Sequence, residues 1–239
     1  MIKKKILIAT GGTGGHVFPA LSLAKNLKKN NYEVRLTIDE RGLKYLKENN
    51  DINFTKISSS PFLKKNIFKL FQSLLLIFYS IIRSFFFLSL NRPDLILGMG
   101  GYSSFPICIV ASILKIKFII YENNLIVGKA NKCLLPFAKK ILVACKDLEG
   151  IKEKNKDKMI EIGNLIREEI ININTNFILN KDYSILNILI LGGSQGARVF
   201  AEKIPQELKK IKDQGIPIKV FQQCQINQTE ALSSFYKRE

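Results

Sequence analysis

Histidine occurs once in the 239 residues, and acidic residues are outnumbered 20 to 37 by lysine and arginine. With His16 alone, no centre built from several imidazoles is available. The four cysteines, Cys108, Cys133, Cys145 and Cys224, lie far apart without a CxxC pair. Neither a zinc site nor a disulfide framework is therefore indicated, and reduced, mostly structural thiols are expected. No secretory leader is expected either: the basic start, Met1 to Lys5, is followed by an apolar stretch that stops at Gly11, too short for an h-region, so a cytoplasmic chain is expected. The shortage of acids leaves a net charge of +17, which favours a polyanionic partner: nucleic acid, an anionic membrane face or a phosphorylated substrate. Composition rich in Lys, Asn, Ile and Phe accounts for part of it. No RNA- or DNA-binding motif accompanies the charge, so no nucleic-acid partner is expected.

What is present is a globular composition, 46% hydrophobic and 24% charged, arranged as short apolar runs alternating with helical patterns. That alternation is the signature of an α/β fold with a parallel sheet covered by helices. Strands are expected at 6–9, 34–38, 53–57, 95–97, 118–121, 141–143 and 159–162. A polar, Asn-rich stretch then interrupts the pattern, which restarts with a strand at 185–191, a glycine loop, a helix at 197–212 and a strand at 218–221. This reads as a first domain at 1–168, a linker at 169–184 and, at 185–239, the start of a second domain that is expected to be cut off, because a doubly wound domain needs roughly 100 residues.

The stretch 67–90 is apolar enough to suggest a membrane span, but Lys69, Gln72, Ser73, Ser80, Arg83 and Ser84 repeat at 11 residues. Three helical turns separate such positions, so they form one stripe of an amphipathic helix. Part of the opposite face, with Leu70, Phe71, Leu74, Leu75, Phe78, Ile81, Ile82, Phe85 and Phe86, is expected to pack on the sheet. Its width, with Lys64, Lys65 and Lys69 nearby, also suits a helix lying in the headgroup region of an anionic membrane.

Three glycine loops carry the chemistry. GGTGGHVFPA, from Gly11, follows the first strand and opens a helix to about Lys29; GMGGY, from Gly98 to Tyr102, and GGSQGAR, from Gly192 to Arg198, each follow a strand and precede a helix. Glycines admit close backbone approach, and helix N-termini offer unpaired N–H groups and a positive dipole end to anions. A Walker A loop is excluded because no lysine follows the glycines. A dinucleotide fingerprint loses its third glycine to Val17, although Asp39 stands where a ribose-binding acid would be expected. His16, at the mouth of the first loop and at the carboxyl edge of the sheet, is read as functional.

Taken together, GGTGGHVFPA, RPDLILGMGGY, IGNLIR ending at Arg167 and LGGSQGAR ending at Arg198 make the chain resemble the MurG family, glycosyltransferase family 28. The resemblance covers essentially the whole chain. It implies a GT-B architecture of two Rossmann-like domains and transfer of N-acetylglucosamine from UDP-N-acetylglucosamine to undecaprenyl-diphospho-muramoyl pentapeptide (lipid I), giving lipid II with inversion. No cofactor and no metal are implied, and no DxD acid pair is present. Carried over by position, Thr13, Gly14 and Gly15 contact the donor, Asn124 approaches the sugar, and Arg167 and Ser194 hold the UDP portion. His16 is the base or an acceptor-positioning group, and Gly100, Gly101 and Tyr102 line the lipid diphosphate site. A peripheral enzyme on the cytoplasmic face of the bacterial inner membrane is implied; the alternative is an inactive membrane- and lipid-diphosphate-binding module. Where the family reads HEQN the chain has Tyr121, Glu122, Asn123 and Asn124.

Overall fold

The computed structural model describes residues 3–46, 51–59, 67–173, 184–193 and 198–238. Two compact units divide the chain, Met1–Ile173 and Asn174–Glu239.

The first unit contains β1 (Lys5–Ala9), α1 (Gly14–Lys29), β2 (Glu33–Ile38), α2 (Glu40–Leu43), β3 (Asn53–Lys56), α3 (Ile67–Leu90), β4 (Leu95–Gly98), α4 (Gly101–Ile113), β5 (Phe118–Glu122), α5 (Lys129–Leu134), β6 (Ile141–Val143), β7 (Met159–Glu161) and α6 (Glu168–Ile171). Its seven strands lie in the order β3-β2-β1-β4-β5-β6-β7, and every pairing is parallel. A parallel sheet is covered on both faces, which explains strands that read as continuous apolar runs. The alternation of side chains sorts them into two cores. Ile6 and Ile8 join Val17, Ala20, Leu21 and Ala24 of α1, whereas Leu7 and Ala9 join Ile107, Val110 and Ala111 of α4, Leu134 of α5 and Leu88 of α3. Each fully buried Ile or Leu contributes about 1.5–3 kcal/mol. Chain order reverses between β1 and β4, so the loops after these two strands flank a topological switch point, where ligands of open α/β sheets bind.

Helix α3 has the expected length but the opposite facing. Ser73, Ser80 and Ser84, placed by the sequence on a polar stripe, are buried, and they form an inward seam with Ile77 and Leu88. Of the apolar face, part of which is expected to pack on the sheet, Ile81 is half-buried against the α/β core, whereas Phe71, Leu74, Leu75, Phe78, Ile82 and Phe86 are each between 41% and 63% accessible. Small hydroxyl side chains let α3 lie close to its neighbour α4, and those of Ser80 and Ser84 are met by backbone. The Ser80 hydroxyl lies 2.7 Å from the Ser58 and Leu76 carbonyls, and that of Ser84 donates to Ser80 O at 2.6 Å. Gln72 and Arg83 of the stripe are exposed. The 21 residues Leu70–Leu90 are long and apolar enough to cross a membrane by length and composition, yet Leu88 is part of the α/β core. Lys64 and Lys65 lie outside the described residues.

Helix α6 begins where the sequence suggests a linker. Its acids meet α1 through Lys29–Glu168 at 2.7 Å and Lys25–Glu169 at 3.6 Å, both exposed and weak. The second unit pairs β8 (Leu186–Ile190) with β9 (Ile218–Gln222) in parallel, joined through α7 (Arg198–Asp213) and followed by α8 (Thr229–Arg238). A short 3-10 turn carries a reciprocal capping box between Gln225 and Gln228 just before α8.

Candidate functional site

The loop after β1 owes its shape to a carboxylate. Gly11 and Gly12 take φ of +150° and +79°, and a β-carbon on Gly11 would stand 2.5 Å from Asp39 Oδ1 and 2.7 Å from Ser103 Oγ, so only glycine fits. Asp39, 2% exposed, accepts from the Gly12 N–H at 2.7 Å and the Gly42 N–H at 3.0 Å through Oδ1, and from Arg41 and the Ser59 hydroxyl through Oδ2. Burial pushes its pKa up, but the Gly12 N–H, Ser59 and Arg41 outweigh that and hold it below the ordinary value. Both oxygens are thus committed to the protein, and Asp39 pins the loop instead of reading a ribose.

Beyond this turn, α1 and α4 start with little compensation of their dipoles. Thr13, the exposed N-cap of α1, makes no side-chain capping bond, and the first turn holds no acid. Gly100 caps α4 with φ +84° and likewise no acid follows. Two adjacent helix N-termini in this condition offer N–H groups and positive potential to an anion. Gly14 is buried against Phe18 and Tyr45, while Gly15 is exposed beside Thr13.

His16 joins the two loops. Its ring packs on the Gly100–Gly101 peptide so closely that a β-carbon on either glycine would meet it at 3.2 Å. The Thr10 hydroxyl fixes the backbone beneath by donating to His16 O at 2.9 Å. Burial lowers the imidazole pKa, opposed by the negative field of Glu122 and by the Met99 backbone. His16 is therefore mainly neutral at pH 7, the state a proton acceptor requires. Nδ1 of His16, Oγ of Ser103 and Oδ1 of Asn131 are buried without a hydrogen-bond partner, and all three surround the Gly100–Gly101 turn. Tyr102 is half-buried in the first turn of α4.

Glu122, at the end of β5 and 2% exposed, shapes the next loop. Oε1 accepts from the Asn124 side chain at 2.7 Å and its backbone N–H at 3.1 Å; Oε2 accepts from the Gly128 N–H and from Asn131 Nδ2. Asn124 is thereby folded back on Glu122, and Asn123 instead reaches the first glycine loop, donating to Gly15 O at 3.2 Å. Tyr121 anchors the loop after β7: its hydroxyl donates to Gly163 O and accepts from the Leu165 N–H, each at 3.2 Å. Arg167 follows that loop and lies over the Phe18 ring, 4.6 Å from its centroid. With Lys25 and Tyr45 it lines a cavity of about 270 Å³, beginning one helical turn from Gly14. Ser194 lies outside the described residues; Gly192, which precedes it, donates its N–H to Gln223 Oε1 at 3.2 Å. Asp39, Glu122, Ser103 and Asn131 were not among the residues singled out as binding groups in the sequence. The sequence marks only the place of Asp39 at a strand end and that of Glu122 in the segment that departs from HEQN.

A doubly wound parallel sheet with glycine loops at its switch point, followed by a second βαβ unit, defines the architecture as GT-B type. Residues 6–143 match the glycosyltransferase family 28 N-terminal domain and residues 187–239 the glycosyltransferase family 28 C-terminal domain. The chain belongs to glycosyltransferase family 28. A Pelagibacter ubique protein named as an N-acetylmuramyl-(pentapeptide) pyrophosphoryl-undecaprenol N-acetylglucosamine transferase is 33% identical over 99% of this chain and 64% of its own length. A Francisella tularensis protein of the same name is 35% identical over 98% of the chain and 64% of its own. Among solved structures, Acinetobacter baumannii MurG superposes with a TM-score of 0.69 at 27% identity, over 98% of this chain and 62% of that one. The chain thus spans about 64% of the length of these curated relatives.

Proposed function

We propose that the chain transfers N-acetylglucosamine from UDP-N-acetylglucosamine to undecaprenyl-diphospho-muramoyl pentapeptide, forming lipid II in peptidoglycan synthesis with inversion at the anomeric carbon. The observation that carries this reading is the pair of helix N-termini, α1 and α4, that have neither a side-chain capping bond nor a first-turn acid and meet across the His16 ring. In this reading residues 1–168 serve the acceptor and the membrane, and 185–239 open the donor-binding unit. Gly100, Gly101 and Tyr102 meet the acceptor diphosphate, Thr13, Gly14 and Gly15 face the donor, and Asn124, Arg167 and Ser194 complete donor binding. The acceptor hydroxyl oxygen bonds to the anomeric carbon as its proton passes to neutral His16. The bond from that carbon to the UDP oxygen breaks, its electron pair leaving with UDP. Charge developing on UDP is met by N–H groups, helix ends and Arg167.

The exposed aromatic and aliphatic side chains of α3 support peripheral binding at the cytoplasmic face of the inner membrane, since an apolar patch of this extent marks an interaction surface. Labelled UDP-N-acetylglucosamine and a lipid I analogue, incubated with the 239-residue chain, test the transfer, with Acinetobacter baumannii MurG as the active control. A β-linked product supports the reading. Flotation with anionic liposomes while nothing is transferred replaces it with the binding-module alternative.

A further inference from the structure

Two consecutive serines in the first turn of α4 have different surroundings. The Ser104 hydroxyl donates to the Gly101 carbonyl at 3.1 Å, an ordinary local use of such a group. Ser103 is 3% exposed, and its hydroxyl has no hydrogen-bond partner. A buried polar group left unpaired is costly, and such groups concentrate where a ligand completes the bonding. Ser103 Oγ lies where the two glycine loops meet: a β-carbon on Gly11 would stand 2.7 Å from it and one on Gly101 3.7 Å. The helix it belongs to has 13 residues, a glycine N-cap and no acid in its first turn.

We propose that Ser103 donates its hydroxyl hydrogen to a phosphoryl oxygen of a diphosphate held at the N-terminus of α4. This rests on the reading of Gly100, Gly101 and Tyr102 as the acceptor diphosphate site and adds a side-chain ligand to it. The diphosphate, and not the helix, satisfies this hydroxyl.

The test titrates the 239-residue chain and its Ser103→Ala and Ser103→Cys variants with farnesyl diphosphate and, separately, with inorganic pyrophosphate, following each by calorimetry and thermal melting. Ser103→Ala is expected to bind both probes roughly ten-fold more weakly, the effect of losing one hydrogen bond to a charged group. Its melting temperature in the absence of probe should be equal or higher, because an unpaired hydroxyl is gone; Ser103→Cys should be intermediate in affinity. Unchanged affinity in Ser103→Ala, beside clear binding by the parent, overturns the assignment to Ser103 alone. An affinity loss matched by a fall in melting temperature also overturns it, since that is the mark of a packing role. Absence of binding by the parent to either probe overturns both this inference and the diphosphate reading beneath it.

Discussion

Helix α3 and the β1–β4 edge both bury polar side chains, with opposite outcomes. On α3 the inward-facing Ser80 and Ser84 rest on backbone carbonyls, and their polarity goes no further than the fold. At the β1–β4 edge, His16 Nδ1, Ser103 Oγ and Asn131 Oδ1 are enclosed without partners, beside two helix ends that lack acids. A satisfied buried hydroxyl permits close packing; an unsatisfied one implies that a further group belongs there. The surfaces differ as well: α3 turns apolar side chains outward, which the proposed function assigns to a membrane surface, while the sheet edge brings together two helix N-termini without acids, which it assigns to a diphosphate.

The largest effect expected from breaking this arrangement lies at the edge. Gly11→Ala places a methyl 2.5 Å from Asp39 Oδ1 at a φ costly for alanine, and should destabilise the first unit by about 3 kcal/mol. A near-parental melting curve would show that the loop is not pinned as described. Asp39→Asn should cost about 2 kcal/mol by losing the charged bonds from Arg41 and weakening the rest. Because the native carboxyl pKa lies below its value of 3.8 in the free side chain, the unfolded state takes up the proton first. The contribution of Asp39 is therefore complete above pH 3.8 and lost as pH falls through the lower native value. Acid denaturation of Asp39→Asn should lack that component, and an identical acid limb in the two proteins counts against it.

On α3 the contrast is sharpened by paired changes. Ser80→Ala should cost about 1 kcal/mol, since the hydroxyl bonds only to backbone. Phe71→Ser combined with Phe78→Ser should change stability by no more than about 0.5 kcal/mol while reducing flotation with anionic liposomes several-fold. Large destabilisation by the phenylalanine changes, with flotation intact, would mean that this face packs within the protein.

Much of this architecture was legible in the residues. The strand positions and the limits of α3 follow from apolar periodicity, and the glycine loops from their place after strands. The facing of α3 was not legible, because periodicity identifies a stripe without saying which side is inside, and serine is small enough to line a helix–helix seam. At the site, His16 stood out as the lone histidine. Asp39 and Glu122 act by accepting N–H groups from loops, Asp39 from Gly12 and Gly42 and Glu122 from Asn124 and Gly128, at separations that follow no sequence period. The neighbours Asn123 and Asn124 are chemically alike, and only the Glu122 carboxylate decides which of them turns toward Gly15.

The most direct test is the pH dependence of N-acetylglucosamine transfer to a lipid I analogue by the 239-residue chain and by His16→Ala. The parent should lose activity as pH falls through a value below 6.5, because the native pKa of His16 is depressed and only the neutral ring accepts the proton. His16→Ala should be slower by roughly 10²- to 10⁴-fold and lack that limb. Transfer by His16→Ala at the parental rate, with the same acidic limb, would contradict the placement of His16 at the reaction centre.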